Sequence, residues 1–230
     1  MDNVLKIFDR LTLESVKKRT FLLLFIFQNI ILSLVVLVYA NIIISNARIN
    51  NELDYQQIQN FYTISIALLF FSIYILAPLV LSNWLNKLYK SNIIEHLLSV
   101  DIDISSIVFA VFLRGISIVS ILLISAMPII SISFYFGGFS IIKVIKLIIC
   151  LFAFVLLISS TSIYISTIIL DGNLSIVVAY VIGLFIYILN IINLSRILNS
   201  TYFLIFYLIF IVITSLVLLY YARKTKIFMV

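Results

Sequence analysis

Six long apolar runs dominate the chain, at about residues 20–45, 61–82, 106–136, 141–170, 174–192 and 201–221, with short polar stretches between them. A helix needs about 20 residues to cross the roughly 30 Å of bilayer hydrocarbon, and each run comes to about that or more. Within hydrocarbon every backbone N–H and C=O must be satisfied inside the segment, so each run is expected to be helical. The pattern predicts an all-α, polytopic membrane protein with six transmembrane helices. Residues 1–19 precede the first span, and residues 20–230 form the six-helix domain.

Two polar stretches carry a period of their own. Val4, Ile7, Phe8 and Leu11 recur at helical spacing while Lys6, Asp9, Arg10 and Glu14 take other positions. This predicts an N-terminal interfacial helix lying along the membrane surface and turning upward near Arg19. Between spans two and three, Leu85, Leu88, Tyr89, Ile93, Leu97 and Val100 are spaced for one helical face, and Lys87, Ser91 and Glu95 for another. A second amphipathic helix is expected there. Asp101 and Asp103 then supply N-capping side chains where the third span begins.

Other connections are short. Asn46 to Asn60 reads as a polar outer loop, Gly137-Gly138-Phe139-Ser140 as a tight outer turn and Asp171-Gly172 as an inner turn. Asn190 to Ser200, NIINLSRILNS, is too polar for mid-membrane, which predicts either a short dipping helix or an ordinary loop. Pro78 and Pro128 are expected to kink spans two and three.

Composition agrees with the pattern. The 230 residues are 64% hydrophobic and 10% charged, against about 25% charged in soluble domains, and mean hydropathy is +1.29. The net charge of +6 lies beside apolar runs and makes no stripe interleaved with stacking aromatics, so no nucleic acid is expected as a partner. With a cytoplasmic N-terminus, basic residues divide eleven inside, including Arg10, Lys87, Lys90, Arg114 and Arg223, against Arg48, Lys143, Lys146 and Arg196 outside. Both termini are therefore expected in the cytoplasm. The run after Lys17, Lys18 and Arg19 exceeds the length of a signal-peptide core and reads as a retained span.

Catalytic patterns do not form. Cys150 and His96 are single, so no disulfide, Cys-rich zinc knuckle or His pair is expected, and no metal or cofactor in this chain. Gly137-Gly138 lacks the Lys-Ser or Lys-Thr of a phosphate loop, and neither a His-Glu-x-x-His nor a Gly-x-Ser-x-Gly pattern occurs. No catalytic residue is assigned, and the chain is not expected to be an enzyme. Arg114, Lys143 and Lys146 are the charges inside apolar runs, each placed where snorkelling to the interface is expected. The hydroxyl-rich stretches of spans three and four, among them Ser159, Ser160, Ser162 and Ser166, read as helix packing rather than a polar path.

This layout resembles the type-2 ABC transporter permease family. The closest local match is Asn86 to Gly115, NKLYKSNIIEHLLSVDIDISSIVFAVFLRG. Ile94, Glu95, Leu97 and Leu98 fit the family's apolar-Glu-x-Leu-Leu segment, and Arg114-Gly115 fits the basic-small step in the following span. The charged start is reduced here to Lys87 and Lys90. The resemblance implies that the loop helix is a cytoplasmic coupling helix docking on a separate nucleotide-binding ATPase subunit, with Lys87, Leu88, Tyr89, Glu95, Leu97 and Leu98 at the contact. It further implies that two permease chains form the pathway, and that ATP and Mg act in the partner subunit. Export of a hydrophobic peptide, drug or lipid across a bacterial cytoplasmic membrane is the expected role, self-protection against antimicrobial peptides included.

Two other readings stay open. One is a small-ligand-binding membrane module of an energy-coupled importer, which predicts a tight stoichiometric ligand on the monomer. The other is an intramembrane lipid transferase, which lacks a catalytic constellation.

Overall fold

The computed structural model describes residues 19–50, 55–90, 104–135, 141–169 and 171–224, and six helices account for nearly all of them. They are α1 (Arg19–Asn50), α2 (Tyr55–Lys90), α3 (Ile104–Tyr135), α4 (Ile141–Ile168), α5 (Gly172–Asn199) and α6 (Thr201–Lys224). All six are long and apolar enough to cross a membrane, and no strand occurs among the described residues. The protein is a multi-pass, all-α membrane protein. The expected interfacial helix before Arg19, the caps Asp101 and Asp103 and the Gly137-Gly138 turn lie outside the described residues.

Helix ends follow local side-chain chemistry where the turns are described. Asp171 opens α5 in an extended conformation, and its side chain accepts from the Asn173 backbone N–H at 3.1 Å. That satisfies one of the donors a helix N-terminus leaves open. At the far end, Ser200 is extended, with its own N–H donating to the Arg196 carbonyl at 3.0 Å. Its hydroxyl accepts from the Phe203 N–H at 3.4 Å, so one residue closes α5 and opens α6.

The stretch from Asn190 to Ser200 is neither a dipping helix nor a loop. It is the last three turns of α5, which runs unbroken to Asn199. Its polarity does not break the helix because the side chains bond inward: Asn190 Nδ2 donates to the Ile186 carbonyl and Asn193 Nδ2 to the Leu189 carbonyl, each at 2.8 Å. The Asn190 Oδ1 in turn accepts from the Tyr207 hydroxyl on α6.

Packing centres on α4, which touches α2, α3, α5 and α6, whereas α1 leans mainly on α2 and α3. Lipid tails are as apolar as leucine, so close fit and interhelical hydrogen bonds hold such a bundle together. Phe154 of α4 meets Phe70 of α2 edge to face, with ring centroids 4.9 Å apart. Around them Leu69, Ile73, Leu123, Leu151, Ile158 and Ile197 are buried. Leu34 and Phe27 on α1 and Phe206 and Phe210 on α6 point outward, as residues facing lipid should.

Candidate functional site

Two glycines set how closely helices approach α2. A Cβ built on Gly115 of α3 would lie 2.4 Å from Leu81 Cδ2, and one on Gly183 of α5 would lie 3.1 Å from the Tyr74 ring. A side chain at position 115 would force the buried Leu81 side chain to shift. Around this contact Leu81, Ile107, Val111, Phe112, Ile163 and Ala222 are buried together, tying α2, α3, α4 and α6 at one end of the bundle. Arg114 is 4% exposed beside them. It is therefore packed inside the protein rather than exposed at the surface, which differs from the snorkelling expected of it.

α2 does not stop where the apolar run stops. It continues as helix from Tyr55 to Lys90, so Lys87, Leu88 and Tyr89 lie on the same helix as the second span. The amphipathic segment expected after Asn83 thus begins as a direct extension of that span. Glu95, Leu97 and Leu98 lie outside the described residues.

Along the α2–α5 interface, Tyr74, Tyr180, Tyr187 and Phe71 form one aromatic patch with centroid separations of 5.7 to 6.0 Å. Tyr180 donates to the Ile75 carbonyl at 2.9 Å and Tyr187 to the Ala67 carbonyl at 3.4 Å. α2 and α3 both continue through their prolines, Pro78 and Pro128.

Apart from Ser159, the hydroxyls toward the end of α4 bond their own helix. Ser160 donates to Leu157, Ser162 to Ile158, Ser166 to Ile163 and Thr167 to Tyr164, all at carbonyls 2.7 to 2.9 Å away. Such back-bonding leaves them little capacity for a passing solute. Among the described residues no cluster of three or more His, Cys, Asp or Glu side chains suits a metal.

A further opening lies elsewhere. A groove of about 370 Å³ runs between α5 and α6 down to Leu157 of α4, with Phe185, Leu189, Phe203, Phe206 and Phe210 along its walls. Its polar members, Asn190, Asn193, Tyr207 and Thr214, hydrogen-bond within the protein. The sequence carries a sign of it in the helical spacing of Phe203, Phe206, Tyr207 and Phe210, which is a one-sided aromatic stripe in span six. A smaller apolar recess of about 160 Å³ separates α1 from α2 near Phe27 and Phe71.

Comparison with known proteins adds no relative: no family model, curated protein or solved structure matches this chain.

Proposed function

We propose that this chain is the transmembrane permease subunit of an ATP-driven ABC exporter in a bacterial cytoplasmic membrane. A separate nucleotide-binding subunit would bind and hydrolyse ATP with Mg, two permease chains would form the pathway, and both termini would lie in the cytoplasm. The cargo would be a hydrophobic peptide, drug or lipid.

One observation carries the reading beyond the sequence resemblance. The segment that resembles a coupling helix starts on α2 itself, and α2 is clamped to α3 where Leu81 meets Gly115. A partner gripping Lys87, Leu88 and Tyr89 would therefore push on a membrane span directly, since they stand on the same helix as that span. Arg114-Gly115, the basic-small step of the resemblance, is the very site of that clamp.

The test is a mild-detergent pull-down of the tagged chain from its native membranes, followed by mass spectrometry and an ATPase assay. The expected result is a soluble nucleotide-binding subunit that is lost on Glu95→Ala and Leu97→Ala while the permease stays folded. A monomer without ATPase partner that retains a small ligand would replace this reading with the importer binding module.

A further inference from the structure

We infer that the groove between α5 and α6 binds one anionic phospholipid of the surrounding bilayer, its acyl chain between the phenylalanines and its headgroup phosphate at Arg196 and Lys146. This inference does not rest on the exporter reading.

The groove wall and the cation belong to one helix face. Phe185, Leu189, Asn193 and Arg196 follow one another at steps of four, four and three residues, so Arg196 stands one turn beyond the lining residues. Arg196 is exposed, and no carboxylate pairs with it among the described residues. On the other side of the α5–α6 junction, Lys146 Nζ reaches the Thr201 hydroxyl at 3.0 Å and the Leu198 carbonyl at 3.4 Å, both neutral acceptors. Lys146 thus stands at the α5–α6 junction, and Arg196 on the α5 face that carries the groove wall.

Within α3–α6 their charge has no carboxylate near it. From Ile104 to Val230 the only acidic residue is Asp171, which opens α5 at its opposite end, about 37 Å away along the axis. Opposite charge must come from outside α3–α6. The groove walls are apolar and their few polar atoms are already bonded, which suits a hydrocarbon chain and no polar solute. A second copy docked by twofold symmetry through this face would set Arg196 and Lys146 of one chain toward their own counterparts, a like-charge contact. An anionic lipid meets both demands, with a phosphate for the cations and a chain for the groove.

The full chain, purified in mild detergent, is loaded from vesicles of phosphatidylglycerol or phosphatidylcholine, and retained lipid is counted by native mass spectrometry. One phosphatidylglycerol per chain is expected to survive conditions that strip phosphatidylcholine. Arg196→Gln with Lys146→Gln should lower that retention about tenfold, the loss of roughly one charge-assisted contact. Leu189→Trp, at a half-exposed position, should fill the groove and remove the lipid with both cations intact, folding being checked by circular dichroism and gel filtration. Equal retention of the two lipids, or unchanged retention in both variants, overturns the proposal. So does displacement of the lipid by inorganic phosphate alone, which would mean a headgroup site without the groove, or a Phe206→Cys disulfide between two copies in native membranes, which would mean that a second chain covers the face.

Discussion

The Tyr180 hydroxyl donates a 2.9 Å hydrogen bond to the backbone carbonyl of Ile75, next to the carbonyl of Tyr74 that Pro78 deprives of its ladder partner. A proline removes the donor to the carbonyl four residues back and crowds that turn, opening the ladder beside it. A hydroxyl from a neighbouring helix is one of the means by which membrane helices accommodate such a gap. α5 therefore braces α2 beside the turn that Pro78 interrupts.

Tyr180→Phe should lower stability by about 0.6 kcal/mol, the mean for interhelical hydrogen bonds in membranes, and by no more than about 1.7 kcal/mol. In a Pro78→Ala background, where the ladder closes, the same change should cost less. Unfolding in mixed micelles with increasing dodecyl sulfate measures both; equal losses in the two backgrounds would show that the bond and the proline are independent.

Gly115→Ala should destabilise the bundle by about 1–3 kcal/mol, because its methyl group would overlap the Leu81 side chain. Leu81→Ala removes the obstructing methyls, so the double variant should be more stable than the two single losses predict, with a coupling of about 0.5–3 kcal/mol. Gly183→Ala, facing the Tyr74 ring at 3.1 Å, should be milder. A double-mutant cycle in the same micelle assay decides the matter.

Ser159 is fully buried, and its Oγ has no hydrogen-bond partner among the described residues. Ser159→Ala should therefore be neutral or stabilising by up to about 1 kcal/mol, since an unmade buried hydrogen bond is removed. Ser159→Leu should cost about 1–3 kcal/mol by overpacking. Thermal unfolding in detergent would show the two variants moving apart; a loss in Ser159→Ala would mean that the hydroxyl is engaged after all.

The apolar runs located every span, because length and hydropathy alone decide what can cross hydrocarbon. Their ends were less legible. α2 runs eight residues past the apolar stretch to Lys90, since a helix outlasts the greasy part of its sequence when polar residues keep the same backbone form. Asn190 misled for a different reason: a polar side chain signals water only when no internal acceptor exists, and here Ile186 and Tyr207 supply the partners. Arg114 misled likewise, because distance from a span end does not reveal whether neighbouring helices bury a side chain. The α5–α6 groove needed the tertiary structure, since its two walls come from helices whose faces no single period can pair.

The uninterrupted length of α2 makes it a lever with arms of unequal length. If the Leu81–Gly115 contact is its fulcrum, about 14 Å of helix lies between it and Lys90 and about 39 Å between it and Tyr55. A sideways push of about 2 Å at Lys90 would then swing the far end about 6 Å the opposite way. Pro78 sits just inside the long arm, where it would absorb part of that swing. On that geometry the Tyr180 bond beside the proline turn would stiffen the long arm, and so set how much of a small push at one end becomes a large displacement at the other.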